Sequence, residues 1–228
     1  EAKEEAKEEA KEGEPKEEAK EEAKEPEKPK EPEKPKELEE DAPEDTRPQV
    51  DASAVAVSAV DTTLNVMQAC KGKLLMTLTE GGCQYLLAGA RATAGMKAGR
   101  YMFEVKIVEV LSPTEGQPPA RAGARNPVRV GVSLAGSSLL MPDGPGSVCF
   151  DSDGCWVHEK TKKKVSKKFA RDQTVALLVN LEPASPNANT ISLFIDGVRV
   201  ADPQPLPEAL VGKTLYPTVT YKNVTLQV

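Results

Sequence analysis

From Val50 onward, apolar residues recur at every second position, and no long segment repeats them at helical spacing. In "RYMFEVKIV" (100–108), Tyr101, Phe103, Val105 and Ile107 share one face and Glu104 and Lys106 the other. A strand sends successive side chains to opposite faces, so this alternation is that of a half-buried strand. "VRVGVSL" groups Val128, Val130, Val132 and Leu134, and "TVALLVNL" groups Val175, Leu177, Val179 and Leu181. "ISLFIDGVRV" sets Ile191, Leu193 and Ile195 before Asp196-Gly197, a dipeptide that supplies the positive φ values of a tight hairpin turn. Short strands punctuated by Gly, Pro and Ser clusters predict an all-β fold, an antiparallel sandwich. One irregular stretch, "LSPTEGQPPARAGARNP" (111–127), is too long for a simple hairpin loop and is expected to project from the surface.

The first part of the chain cannot join that core. Residues 1–45 hold 21 acidic and 10 basic side chains, which leaves 15 acidic and 20 basic in 46–228. An acidic arm of net −11 therefore precedes a body of net +5. In "EAKEEAKEEAKE" the i,i+4 pairs are like-charged and only i,i+3 pairs such as Glu4–Lys7 help, so transient helix is expected. "PEKPKEPEKPKE" should be extended and solvated, because Pro fixes φ and removes donors. With almost no apolar residues, residues 1–49 are expected to be a disordered Glu/Lys/Pro-rich arm, and 50–228 the sandwich domain. The charge asymmetry suggests an interaction tail, or an arm that competes with anionic ligands for the body.

No apolar run approaches the roughly eighteen residues of a membrane span, and no membrane association is expected. The N-terminus is charged and lacks an initiator Met, so the chain reads as a fragment or a processed product. Cys70, Cys83, Cys149 and Cys155 contain no C-x-x-C pair, and a body this large needs no disulfide staples; they read as reduced intracellular thiols.

In its order of motifs, the body resembles a SPRY domain. The likeness begins with "YLLAGARATAGMKAGRYMFEVKIVE", where that family shows R-A-x-x-G, a basic-glycine step and a strand with F-E-V/I. "VRVGVS" resembles its R-x-G-W-S strand and "GSVCFDSDG" its S-x-x-Y/F-x-x-x-G segment. "ISLFIDGV" resembles its strand with an N-G or D-G turn, and "LYPTVTYKNVTLQV" its closing strands. The likeness covers about 61–228, and within the family it is strongest to the heterogeneous nuclear ribonucleoprotein U group, whose members also carry an acidic region before the SPRY domain. Val132 stands where the family has Trp, so core volume must be filled from elsewhere, with Trp156 the candidate.

The resemblance implies a non-enzymatic adaptor in which loops at one end of the sandwich capture an extended segment of a partner protein, inside the cell and in a nuclear ribonucleoprotein setting. It makes Arg91, in the R-A-x-x-G step, and Arg129, which opens the R-x-G-x-S strand, the partner-binding residues. Two neighbouring guanidiniums would suit a carboxylate or phosphate. Against that stands internal pairing, for example with Glu104 or Asp172.

Two other segments bear on function. "SVCFDSDGCWVHEK" (147–160) contains Asp151-x-Asp153-Gly154, the opening of a calcium loop. Trp156 then stands where that loop needs Gly and Lys162 where it needs Glu. Cys149, Cys155 and His158 lack zinc spacing, and a lone His without a partner motif points to no nucleophile. The segment reads as strand–turn–strand; no catalytic residue, metal, cofactor or small-molecule substrate is expected. "EKTKKKVSKK" places Lys160, Lys162, Lys163, Lys164, Lys167 and Lys168 together. They read either as a solvated edge that discourages aggregation or as a nucleic-acid or nuclear-import contact. With few aromatics to stack bases, RNA binding there would be weak, salt-dependent and poorly selective. A third reading is an architectural subunit of a larger assembly.

Overall fold

The computed structural model describes Leu38, residues 54–111 and residues 126–228. The arm expected over 1–49, Leu38 apart, and residues 112–125 of the expected projecting stretch lie outside the described residues.

Two sheets form a sandwich. The first carries, in spatial order, β1 (Val57–Thr62), β4 (Ala88–Ala92), β14 (Tyr216–Tyr221), β6 (Val128–Ser133), β7 (Ser147–Asp151), β8 (Cys155–His158) and β9 (Thr161–Lys164). The second runs β12 (Val198–Arg199), β11 (Thr190–Ile195), β10 (Thr174–Asn180), β5 (Arg100–Val110), β15 (Val224–Gln227), β3 (Leu74–Thr77) and β2 (Val66–Ala69), with β13 (Gln204–Pro205) beside β11. Every pairing among these strands is antiparallel, as the alternation predicted.

The period-two residues meet between the sheets. Val128, Val130 and Val132 of the first face Val105, Ile107, Leu177 and Leu193 of the second in one buried cluster. Burial of such side chains is worth about 1.5–3 kcal/mol each before chain entropy is charged against it. Tyr101 departs from its strand: it shares the parity of Phe103 and Val105 but is 41% exposed, with its ring lying back over Gly99. Trp156 packs against this core but lies in the row Val130–Phe150–Trp156. The Val132 row continues through Val148 towards His158, so Trp156 fills the neighbouring row rather than the missing aromatic's own.

Turn chemistry joins these strands as their residues require. Asp196 and Gly197 both take positive φ between β11 and β12, and the Asp196 carboxylate also accepts the Thr174 N–H at 2.9 Å, which holds its pKa below the usual carboxylate range. Between β7 and β8, Asp151 Oδ1 accepts the N–H groups of Asp153 (3.1 Å) and Cys155 (3.0 Å), an Asx turn closed by Gly154 at φ 78°. The last corner joins the sheets, since β14 belongs to one and β15 to the other. There Asn223 donates to the Gln84 carbonyl (3.0 Å) and Asn126 Oδ1 (3.1 Å), and its own carbonyl accepts the Leu111 N–H.

Gly154 is constrained twice, by its φ and by crowding: a Cβ there would sit 2.3 Å from the Lys167 carbonyl oxygen and 2.5 Å from that of Ser166. Gly154→Ala should therefore lower stability by about 2–3 kcal/mol, read as a shift in the urea midpoint. An unchanged midpoint would show that this turn is not packed as described.

Candidate functional site

The outer face of the first sheet is polar where a loop crosses it. Strand alternation puts Val219 inward and Thr218 and Thr220 outward on β14, with Arg91 beside Thr218 and Arg129 beside Thr220. The segment 134–146, between β6 and β7, lies over this ledge. Thr220 Oγ1 donates to the Leu139 carbonyl (2.8 Å) and accepts the Met141 N–H (3.0 Å). Gly89 of β4 lets the loop close down, because a Cβ there would lie 2.4 Å from the Leu139 oxygen.

Arg91 lies beneath this cover and is only 1% exposed. Its guanidinium donates to Ser133 Oγ (2.9 Å), to Asp61 Oδ2 (2.7 Å), and to the carbonyl and Oγ of Ser137 (2.7 and 3.2 Å). A buried charge persists only when its donors are met, and here they are met by β1, β6 and the loop together. Its internal partner is Asp61, neither of the two acids weighed from sequence: Glu104 lies on β5 of the other sheet, and Asp172 pairs with Arg171. Arg129 shares the same sheet face, one strand away across β14, and donates to the Met141 carbonyl at 2.6 Å. Both arginines hold the loop rather than stand free on it.

Below Met141 lies a small apolar cluster with Cys149, Cys155 and Val157. All four cysteines are free thiols. Burial pushes the Cys149 pKa up to about 12, and burial also raises that of Cys155; both are poor nucleophiles near neutral pH. His158 Nδ1 is 2.9 Å from the Ser147 carbonyl. Among the described residues no group of three or more His, Cys, Asp and Glu is arranged to hold a metal.

The lysine run forms the edge of the first sheet, as β9 and the segment after it. Lys162 bridges Asp151 (2.7 Å) and Asp153 (3.5 Å), and Lys168 reaches Asp153 at 3.2 Å. Lys164 donates to the Asp153 carbonyl, and Lys163 to Gln204 Oε1 (3.3 Å). Hydrogen bonding from Lys168 holds the Asp153 pKa down, and hydrogen bonding to Asp151 raises that of Lys162. Lys162 and Lys164 lie opposite Val157 and Cys155, while Lys163 lies opposite Trp156, so the run is divided between the sheet's two faces. Lys160 and Lys167 stand exposed.

Exposed apolar side chains beside the covering loop form a feature that sequence reasoning missed. Leu64 is fully exposed between β1 and β2, Leu86 lies before β4, and Leu140 is in the loop itself. Their loops are held close: Thr63 N–H donates to the Gly89 carbonyl (2.9 Å), the Asn65 side chain donates through Nδ2 to the Leu87 carbonyl (3.2 Å), and Leu139 packs against Gly89. Buried Asn65 followed by a hairpin strand was the available signal, but three leucines from loops 20 or more residues apart carry no common spacing.

The described body is a two-sheet antiparallel sandwich of the SPRY fold. No family model matches the sequence. Among solved structures, the SPRY domain of human HERC1 aligns at 16% identity with a TM-score of 0.54, covering 75% of this chain and 96% of that one. A human SPRY domain aligns at 17% identity (TM-score 0.50; 73% and 94% covered), and the TRIM65 PSpry domain at 13% (TM-score 0.51; 76% and 88%). Likeness at these identities establishes the fold alone.

Three outcomes follow from this geometry. Arg91→Ala should cost about 3 kcal/mol in denaturant unfolding, because it opens a void and strips Ser133 and Ser137 of their donor. Asp61→Asn, with its amide oxygen still accepting at a site where Asp61 is 44% exposed, should cost about 1 kcal/mol. In the native protein iodoacetamide should label Cys70 first and leave Cys149 and Cys155 intact, as read by peptide mass spectrometry; early labelling of Cys149 would contradict its burial.

Proposed function

We propose that this protein is a non-enzymatic interaction module whose SPRY-type sandwich captures an extended segment of a partner protein. The observation that carries it is the set of exposed leucines, Leu64, Leu86 and Leu140: the first two loops are joined by the Thr63–Gly89 and Asn65–Leu87 hydrogen bonds, and the third is held to β14 by Thr220 and closes over Gly89. A rigid scaffold that presents apolar side chains on loops suits capture of a flexible segment, since the loops lose little further freedom on binding. Arg91 and Arg129 act here as positioning residues. The half-exposed Asp61 carboxylate, already paired with Arg91, adds a polar group beside the leucines. The resemblance of the body to the heterogeneous nuclear ribonucleoprotein U group supports a nuclear ribonucleoprotein setting, which imaging of the tagged full chain tests.

The decisive experiment is affinity capture from cell extract with the full chain, after nuclease treatment, comparing wild type with a Leu64→Asp, Leu86→Asp, Leu140→Asp variant. Partners should be lost at least tenfold while the unfolding midpoint is held. Partners that survive in the leucine variant, or that vanish with nuclease alone, overturn the reading; the second result moves the contact to RNA.

A further inference from the structure

The inner face of β4 and β14 borders a cavity of about 570 Å³ between the two sheets. Its deep part is apolar and buried, formed by Ala90, Val105 and Val219, with Val57 and Phe103 packed at its sides. At the mouth stand Lys71 and Lys73, both exposed, on the hairpin between β2 and β3. The hairpin is held against β1, where Gln68 Nε2 donates to the Ser58 carbonyl at 2.9 Å. The space exists because β4 brings alanines, Ala90 and Ala92, to a layer that elsewhere is filled by Val, Leu and Ile.

The space opens to solvent on the side of Lys71 and Lys73, so it is a cleft between the sheets rather than a sealed void. An engineered apolar cavity of roughly 150 Å³ already admits benzene, and ligand sites run from about 300 to 1,000 Å³. Of the charged residues that line it, Lys71 and Lys73 are basic and Glu104 is acidic. Lys73 belongs to the turn that precedes β3, where its N–H donates to the Cys70 carbonyl at 3.3 Å, and it lines the cavity together with Lys71. Among the described residues, neither Lys71 nor Lys73 has an ion-pair partner. Glu104 also borders the cavity, but it alternates with Phe103 and Val105 and its side chain belongs to the outer face of β5.

We propose that this cavity binds an aliphatic carboxylate, its chain between the sheets and its carboxylate at Lys71 and Lys73. The site is separate from the leucine surface and goes beyond the interaction function, which stands or falls independently of it.

Titration calorimetry of the full chain with hexanoate, octanoate and decanoate, each below its micelle concentration, tests it. Saturable one-to-one binding is expected, tightening about fourfold per added methylene. Decanol, which lacks the charge, should bind about threefold more weakly than decanoate, and that gap should close in a Lys71→Met, Lys73→Met variant. Ala90→Leu should abolish binding of both; if it does not fold, Ala92→Leu at the half-buried end of β4 serves. Methyl NMR shifts should fall on Val57, Val105 and Val219. Shifts confined to other methyls, or unchanged affinity in a folded cavity-filled variant, overturn the site. Equal affinity of decanol and decanoate for wild type overturns the carboxylate assignment. A cavity already closed by a polypeptide, whether from this chain or a second copy, would leave decanoate no saturable site, and that result overturns the proposal as well.

Discussion

A guanidinium that is 1% exposed can be tolerated only if the surrounding backbone and side chains answer its donors, and this requirement organises one face of the molecule. Arg91 draws Asp61 from β1, Ser133 from β6 and Ser137 from the covering loop to a single point. Ser133 Oγ in turn lies 2.6 Å from Thr218 Oγ1, which carries the network onto β14. Three separate segments thus meet through one side chain, and a fourth joins them through Ser133. Removing it withdraws the donor from Asp61, Ser133 and Ser137 at once, which is why its effect should exceed that of any single partner.

Strand β4 shows how one short segment serves two environments. Its sequence Ala-Gly-Ala-Arg-Ala gives the outer face to Gly89 and Arg91 and the inner face to the alanines. The glycine admits the loop, and the arginine anchors it. The alanines bury almost no surface of their own and leave the space between the sheets open. The outer face thus carries one large buried side chain, and the inner face carries none.

Much of the fold was legible because burial imposes period two: the strands around Val105, Val130, Leu177 and Leu193 were all written in alternation. The Asp196-Gly197 and Asp151–Gly154 turns were legible for the same kind of local reason. Strands β1 and β2 were not, since they lie at sheet edges where few of their side chains are buried and little alternation is required. β9 was legible only as one of two alternatives, because four exposed residues reading Thr-Lys-Lys-Lys become a strand through pairing with β8. The candidate site was harder. Arg91 and Arg129 stood out by motif, but nothing local shows that an aspartate 30 residues upstream neutralises one of them, or that a loop carbonyl occupies the other.

The covering loop is gripped at Ser137, Leu139 and Met141 chiefly through main-chain carbonyls, which every amino acid possesses. Its attachment therefore does not depend on what its outward side chains are. Leu140, between two such anchor points, could be exchanged for a different residue without loosening the grip. A surface built this way behaves like a mount with interchangeable lettering: what it recognises can be rewritten while the frame beneath stays folded.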